Sequence, residues 1–367
     1  MMNQIKKQAK KFLLRIGMLN LYFEARNLYK NTTLNKRINN LEKDGFLKPP
    51  YEFVLETNFN CNLRCSFCYQ REIRTKNHFQ ISADDVRKTF LFFVRGEISS
   101  VMVMGGEVFV RKDIFEIFDV LEELNIPFSI TTNGTLINQE KARKLIKYKY
   151  LKGVTFSLHG YSKEHDQIVG VPGAFGKAHK AILLLSKKIN LTISTVITKN
   201  NYRSIRKLIY ATRKLEINEI MIATEFSLGE YTDSKATNKK ATKLIKNRLV
   251  NQIKKLSQYA KKNKIVLTFP TNLMRKEDTL SLFINKKVLE DKNKLKLFCS
   301  ELLAVRIDPN GNLVYCFLAR KIFGNIKKSN LKKLINSKAI RKVRKKITLG
   351  NFIPLCEGCC KLEGSFY

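Results

Sequence analysis

The sequence predicts an α/β protein: a parallel sheet rolled into a partial or full barrel, a small mixed domain behind it and a helical extension in front. Three observations predict it. Short apolar runs alternate six times with helix-period segments between about residues 51 and 263, the pattern of parallel βαβ units. The unusual motifs of this region all stand at the carboxyl ends of predicted strands, where parallel α/β folds collect functional groups. After about residue 270 the alternation stops, and a hairpin and a cysteine-rich end follow.

Residues 1–48 read as a Lys/Arg-rich helical extension ending at Lys48-Pro49-Pro50. Phe12, Ile16, Leu19 and Phe23 recur there at helical spacing, which suits packing on the main domain or peripheral contact with a membrane. The barrel is expected over residues 49–270. Its strands are Tyr51 to Thr57, Val101 to Met104, Phe128 to Thr132, Val154 to Leu158, Leu191 to Ile197 and Glu219 to Thr224. Between them, Ser82 with Asp85 opens a helix over Val86, Phe90 and Phe93 as a capping pair. Ile114, Ile117, Phe118, Leu121 and Leu124 mark the next helix. Others begin near Gln139 and run over Phe175 to Ser186, Ser204 to Leu215 and about 236 to 263. Residues 271–367 form the second domain. In it Leu302 to Ile307 and Asn312 to Phe317 flank the turn Asp308-Pro309-Asn310-Gly311, and a basic helix spans Leu331 to Lys345.

A chain of 367 residues with 44% hydrophobic content buries a large core, and no stretch approaches the length of an uncharged membrane span. The formal charge of +38 is built from Lys more than twice as often as Arg, on every predicted helix face. It reads as a solvated basic surface, so no nucleic acid is expected as partner. Eight cysteines in two ligand-spaced clusters, without a cleavable signal, argue against a disulfide framework and for a reducing compartment, the cytoplasm.

Cys61, Cys65 and Cys68 stand on one loop after the first strand. Three thiolates at that spacing can hold three irons of a 4Fe–4S cube and leave the fourth open. The alternative is zinc, which wants a fourth ligand near by, and the nearest His is His78, ten residues on. Gly105-Gly106-Glu107 follows strand two, where two missing Cβ atoms permit close backbone approach to a ligand and Glu107 can pair with an amine. Thr132-Asn133-Gly134 follows strand three, and Ser157-Leu158-His159-Gly160 ends strand four. The loop from His159 through Asp166 to Gly170-Val171-Pro172-Gly173 lies over the expected active site. Its polar groups either face substrate or serve the turn. In the second domain Cys299, Cys316, Cys356 and Cys359 suffice for one fully ligated 4Fe–4S cluster or a four-cysteine zinc site, with Cys360 left over.

Cys61-x3-Cys65-x2-Cys68 with Phe67 before the last Cys, followed by Gly-Gly-Glu after strand two, resembles the signature of the radical S-adenosylmethionine (radical SAM) superfamily over about residues 51 to 230. Val108 departs from it, since Pro commonly follows that Glu. The resemblance implies a partial (β/α)6 barrel, with SAM on the open iron. The Gly105-Gly106-Glu107 turn would receive the amine of SAM. Thr132, with Asn133, and Ser157 would face its polar parts, Phe67 would lie by the adenine, and the backbone near Val196 would complete the adenine pocket. The second cysteine set resembles a twitch domain, a shortened SPASM domain, with one auxiliary 4Fe–4S cluster; the chain's end at Tyr367 is expected to exclude a second.

The function expected is reductive cleavage of SAM to a 5′-deoxyadenosyl radical and hydrogen abstraction from a peptide or carbohydrate-like substrate, giving oxidation or cross-linking. An electron donor such as flavodoxin or ferredoxin would serve it. The contrasting reading is a non-enzymatic zinc-binding or nucleic-acid-binding module. Glu225, past strand six, is a candidate substrate contact or a plain surface carboxylate; no catalytic acid or base stands out.

Overall fold

The computed structural model describes residues 37–74, 80–198, 201–213, 215, 217, 219–224, 251–252, 255–260, 262–263, 265–268, 295–351 and 362–366. Phe12, Ile16, Leu19 and Phe23, Glu225 and the cysteines 356, 359 and 360 lie outside them.

Six strands stand side by side in chain order, all parallel: β1 (Tyr51–Glu56), β2 (Ile98–Met104), β3 (Phe128–Thr132), β4 (Leu151–Ser157), β5 (Leu191–Ile197) and β6 (Glu219–Thr224). A two-residue strand, β7 (Leu267–Thr268), adds in parallel to β6. Helix α1 spans 37–44. The helices that follow are α2 (Arg71–Arg74), α3 (Ala83–Phe90), α4 (Ile114–Glu123), α5 (Gln139–Lys147), α6 (Lys163–Val169), α7 (Ala174–Leu185) and α8 (Tyr202–Thr212). Those residues of 251–263 that are described are also mostly helical.

The alternation of burial along each strand explains this layering. Phe53, Leu55, Val101, Val103, Phe128, Ile130, Val154, Phe156, Ile193 and Ile220 point to one side and are fully buried with the apolar stripes of the helices. Burying each such side chain contributes about 1.5–3 kcal/mol. The intervening residues point to the other side, and the register sets them in rows: Met102 beside Ser129, Thr131 beside Thr155 beside Thr192, Ser157 beside Ser194 beside Met221. These are half-buried, apart from the exposed Met102, and line the open, inner face of the sheet. Ser82 and Asp85 form the reciprocal cap that the sequence predicts for α3.

The sheet does not stop at β1. The free edge of β1 takes β9 (Ala304–Ile307) in parallel. Strands β10 (Asn312–Tyr315) and β11 (Lys321–Asn325) then continue antiparallel, making ten strands in an open sheet. The cysteine-rich segment is thus hydrogen-bonded to the barrel strand that leads into the first cysteine loop. A separate pair, β8 (Leu295–Cys299) and β12 (Leu362–Phe366), runs antiparallel, and helices α10 (Leu331–Ile335) and α11 (Lys338–Thr348) follow β11, α9 being the helix near 251–260.

Three elements were not legible as such. Helix α6 occupies what reads as a loop, because its seven residues bury only His165 and Val169. Strand β10 stops at Tyr315 rather than Phe317, since Cys316 takes a left-handed φ of 64°. Leu302 and Leu303 belong to a 3-10 turn, not to β9. Among the described residues no single helix is long and apolar enough to cross a membrane.

Helix α1 packs on the barrel through Ile38 and Leu41, with Arg37 paired to Glu52 at 2.9 Å and Arg341 to Asp44 at 3.0 Å.

Candidate functional site

The loop bearing Cys61, Cys65 and Cys68 is held from two sides. On one side the turn after β2 reaches it: Gly106 N donates to Asn58 O at 2.9 Å and Glu107 N to Asn60 O at 2.8 Å. A Cβ on Gly106 would lie 2.3 Å from Asn60 O, and one on Gly105 2.4 Å from Asn58 Oδ1. The two glycines therefore permit close approach of backbone to the cysteine loop itself. On the other side α6 receives it, with Arg64 N donating to Val169 O at 2.8 Å and Ser66 N to Ile168 O at 3.1 Å. Leu63 packs there on Val169 and Ala174, with Cys61, Cys65 and Val171 against them.

Glu107 is 1% exposed. Its carboxylate accepts from Thr132 Oγ1 at 2.7 Å, Asn133 N at 2.6 Å and Phe109 N at 3.1 Å, tying the end of β3 to the end of β2. Burial raises its pKa, against the lowering effect of those three donors. Asn133 passes the bracing on: its Nδ2 donates to Asn62 Oδ1 at 2.9 Å and lies 3.8 Å from Cys61 Sγ. Thr132 is buried on the helix side of β3, with its hydroxyl on Glu107, while its neighbour Thr131 faces the open side. Gly105, Gly106, Glu107, Thr132 and Asn133 thus form one brace behind Cys61.

Ser157 lies on the open inner face beside Ser194. Phe67 makes an edge contact with His159, ring centroids 4.7 Å apart. Val196 has both backbone groups taken, its N–H by His159 Nδ1 at 3.1 Å and its carbonyl by Asn201 Nδ2 at 2.8 Å. His159 N in turn donates to His165 Nδ1 at 3.1 Å. Burial and then His165 hold His159 down to about 3, and burial holds His165 down to about 4, so both rings are neutral at pH 7. The sequence placed these histidines on a loop of open purpose; they lock β4 to β5 beneath Phe67.

A cavity of about 550 Å³ opens over the loop, lined by Cys61, Asn62, Leu63, Arg64 and Arg71. Leu63 N lies 3.4 Å from Cys61 Sγ as a donor. No three His, Cys, Asp or Glu side chains among the described residues converge on a single ion. Three half-buried thiols on one loop, one of them with N–H donors aimed at its sulfur, are a donor set that suits a cluster with separate irons at its corners.

The second cysteine set is joined to the first through buried charge. Glu56, at the end of β1, is fully buried and accepts from Arg306 at 2.8 Å and from Arg320 at 2.8 Å; Arg306 also pairs with Glu301 at 2.9 Å. Burial would lower the Arg306 pKa, but Glu301 and Glu56 raise it. Tyr69, next to Cys68, meets Phe317, next to Cys316, with ring centroids 5.1 Å apart. Burial and then Glu56 raise the Tyr69 pKa. Ala319 N donates to Cys316 Sγ at 3.3 Å. Cys299 is buried in the core that α11 also joins.

The Radical SAM superfamily model matches residues 55–209, and the SPASM iron–sulfur cluster-binding domain matches 299–360. This chain carries a radical SAM domain with a SPASM/twitch domain behind it. The first domain brings a 4Fe–4S cluster and SAM, and the second an auxiliary iron–sulfur cluster. The antilisterial bacteriocin subtilosin biosynthesis protein AlbA of Bacillus subtilis is 31% identical over 138 residues, 37% of this chain and 31% of that protein. A probable GTP 3′,8-cyclase of Saccharolobus islandicus is 29% identical over 194 residues, 51% of this chain and 60% of that one. The chain thus spans between about a third and three fifths of these relatives. Streptococcus suis SuiB, solved with its precursor peptide SuiA, shares the fold: TM-score 0.61 at 20% identity, covering 93% of this chain and 80% of that one.

Proposed function

We propose that this protein is a radical SAM enzyme that modifies a peptide. One observation supports the substrate class: from β2 to β5 the inner face of the sheet is neutral. Across β2 to β5 it presents Ser129, Thr131, Thr155, Ser157, Thr192 and Ser194 with Met102 and Met104, and no Lys or Arg of those strands stands in these rows. Hydroxyls that both donate and accept suit amide groups, and thioethers fit varied apolar side chains. A nucleoside triphosphate would need cations there, and the two guanidiniums at the β1 edge of this face, Arg306 and Arg320, are already held by Glu56, with Glu301 on Arg306 as well. A peptide is also the ligand in the SuiB structure of the same fold.

Bound together, a 4Fe–4S cluster and SAM supply a 5′-deoxyadenosyl radical by one-electron cleavage. Cys61, Cys65 and Cys68 are the residues to hold that cluster, braced by Glu107 and Asn133. Arg64 and Arg71, on the cavity rim, offer charge to the carboxylate of SAM. Phe67, backed by His159, would close the adenine side, and Ser157 would serve the polar parts of the cofactor. Cys299 and Cys316, with Cys356 and Cys359, are the residues to hold one auxiliary cluster, and exposed thiolate-bound iron belongs in the cytoplasm. The neutral hydroxyl lining excludes water once filled and holds a substrate carbon in place.

The test is anaerobic release of 5′-deoxyadenosine from SAM with three additions: linear peptides of neutral composition, GTP, or a disaccharide set. Peptide alone should accelerate release and be altered in mass. Consumption of GTP, or stimulation by sugar and not by peptide, would overturn the assignment.

A further inference from the structure

We infer that the outer face of α11, on the second iron–sulfur domain, is the docking surface for a small acidic protein that delivers single electrons. The inference rests on the iron–sulfur reading above. From Pro309 to Cys356 the chain holds twelve Lys and Arg and no Asp or Glu. That density is more than twice the net charge per residue of the whole chain, +38 over 367. What sets the run apart is the absence of any Asp or Glu to offset its Lys and Arg.

The structure sorts these twelve. Arg320 and Arg344 are turned inward, Arg320 on Glu56 and Arg344 on Ile335 O at 2.6 Å. Lys327, Lys332 and Arg341 are paired with Asp85, Glu97 and Asp44. Lys321, Lys328, Lys333, Lys338, Lys342, Lys345 and Lys346 are exposed and make no ion pair among the described residues. The last four recur at helical spacing on one face of α11.

The opposite face of α11 is buried through Ile340, Arg344 and Ile347, and the helix packs on β8, the strand that ends at Cys299. A partner on the lysine face therefore sits about one helix diameter, roughly 10 Å, from that strand. Positive charge with no acid to answer it selects an acidic partner, and the buried thiol behind it says what the contact is for. A lipid surface fits less well, because an interfacial helix needs its apolar face free and that of α11 is in the core. In the transfer one electron leaves the carrier, which is oxidised by one, and the iron–sulfur site of this domain is reduced by one; no atom or proton need change place.

The experiment is stopped-flow reduction of the anaerobic, cluster-loaded protein by flavodoxin hydroquinone, followed by the bleaching of iron–sulfur absorbance. Photoreduced deazaflavin, small and uncharged, is the parallel reductant. Two charge-matched triple variants are compared: Lys342→Glu, Lys345→Glu, Lys346→Glu on α11, and Lys177→Glu, Lys180→Glu, Lys187→Glu on and beyond α7. The α11 variant should lose at least tenfold in the flavodoxin rate at low salt and most of its salt dependence. The α7 variant and all deazaflavin rates should stay within twofold. Equal losses in both triples, a flavodoxin rate indifferent to α11, or α11-dependent binding of RNA or of phosphatidylserine vesicles in place of flavodoxin would overturn the docking surface. A preparation without iron would instead overturn the underlying enzyme assignment.

Discussion

Replacing Glu56 by Ala should be among the most damaging single changes in the described part of the molecule, and its cost follows from the geometry. Glu56 has no solvent exposure and accepts from two guanidiniums, Arg306 and Arg320, each at 2.8 Å. Its loss leaves Arg306 with Glu301 but leaves Arg320 with only a 3.8 Å approach to Asp308. A buried charge stripped of its partner costs about 3–5 kcal/mol. Glu52, on the same strand, is the internal control: it pairs with Arg37 at 2.9 Å but is 53% exposed, so Glu52→Ala should cost at most about 1 kcal/mol. Glu56→Gln keeps the shape and one acceptor and should fall between. The assay is anaerobic urea unfolding of the cluster-loaded protein, followed by far-ultraviolet circular dichroism at fixed iron content. Equal destabilisation by Glu56→Ala and Glu52→Ala would refute the claim that buried charge welds the second domain to β1.

Other outcomes follow from the same geometry. His159 and His165 titrate near 6.5 when unfolded but at about 3 and about 4 in the fold, so the unfolded chain takes up protons first as pH falls. Stability should be flat above pH 7 and drop by about 2 kcal/mol per ring by pH 5; a flat profile over that range in unfolding midpoints would contradict their neutral burial. Gly106→Ala drives a Cβ to 2.3 Å from Asn60 O, so it should displace the cysteine loop and lower bound iron, which a full iron complement would disprove. Cys61→Ala and Cys316→Ala should each remove about four irons per chain, independently of one another; loss of all iron from either would mean one shared site.

The barrel was legible because its strands alternate apolar and hydroxyl residues, as in Phe128 to Thr131 and Leu191 to Ser194, and its helices carry clean apolar stripes. The cysteine loop was legible because chelation leaves a fixed spacing. Less visible were the roles behind it. Thr132 and Thr131 are indistinguishable in sequence, and the one-residue parity of the strand decides which meets Glu107 and which meets the open face. Helix α6 was hidden because its burial rests on His165 and Val169 alone, yet it holds the loop at Arg64 and Ser66. The Glu56–Arg306 pair spans 250 positions, and nothing local marks it. The acid-free run from Pro309 to Cys356 was present in the sequence, but only the packing of α11 on β8 gives it a face.

The central claim is met most directly by preparing the full chain without oxygen, counting its metals, and adding reductant and SAM. About eight irons per chain and release of 5′-deoxyadenosine are the predicted result. A colourless protein with about two zincs that leaves SAM intact would contradict it.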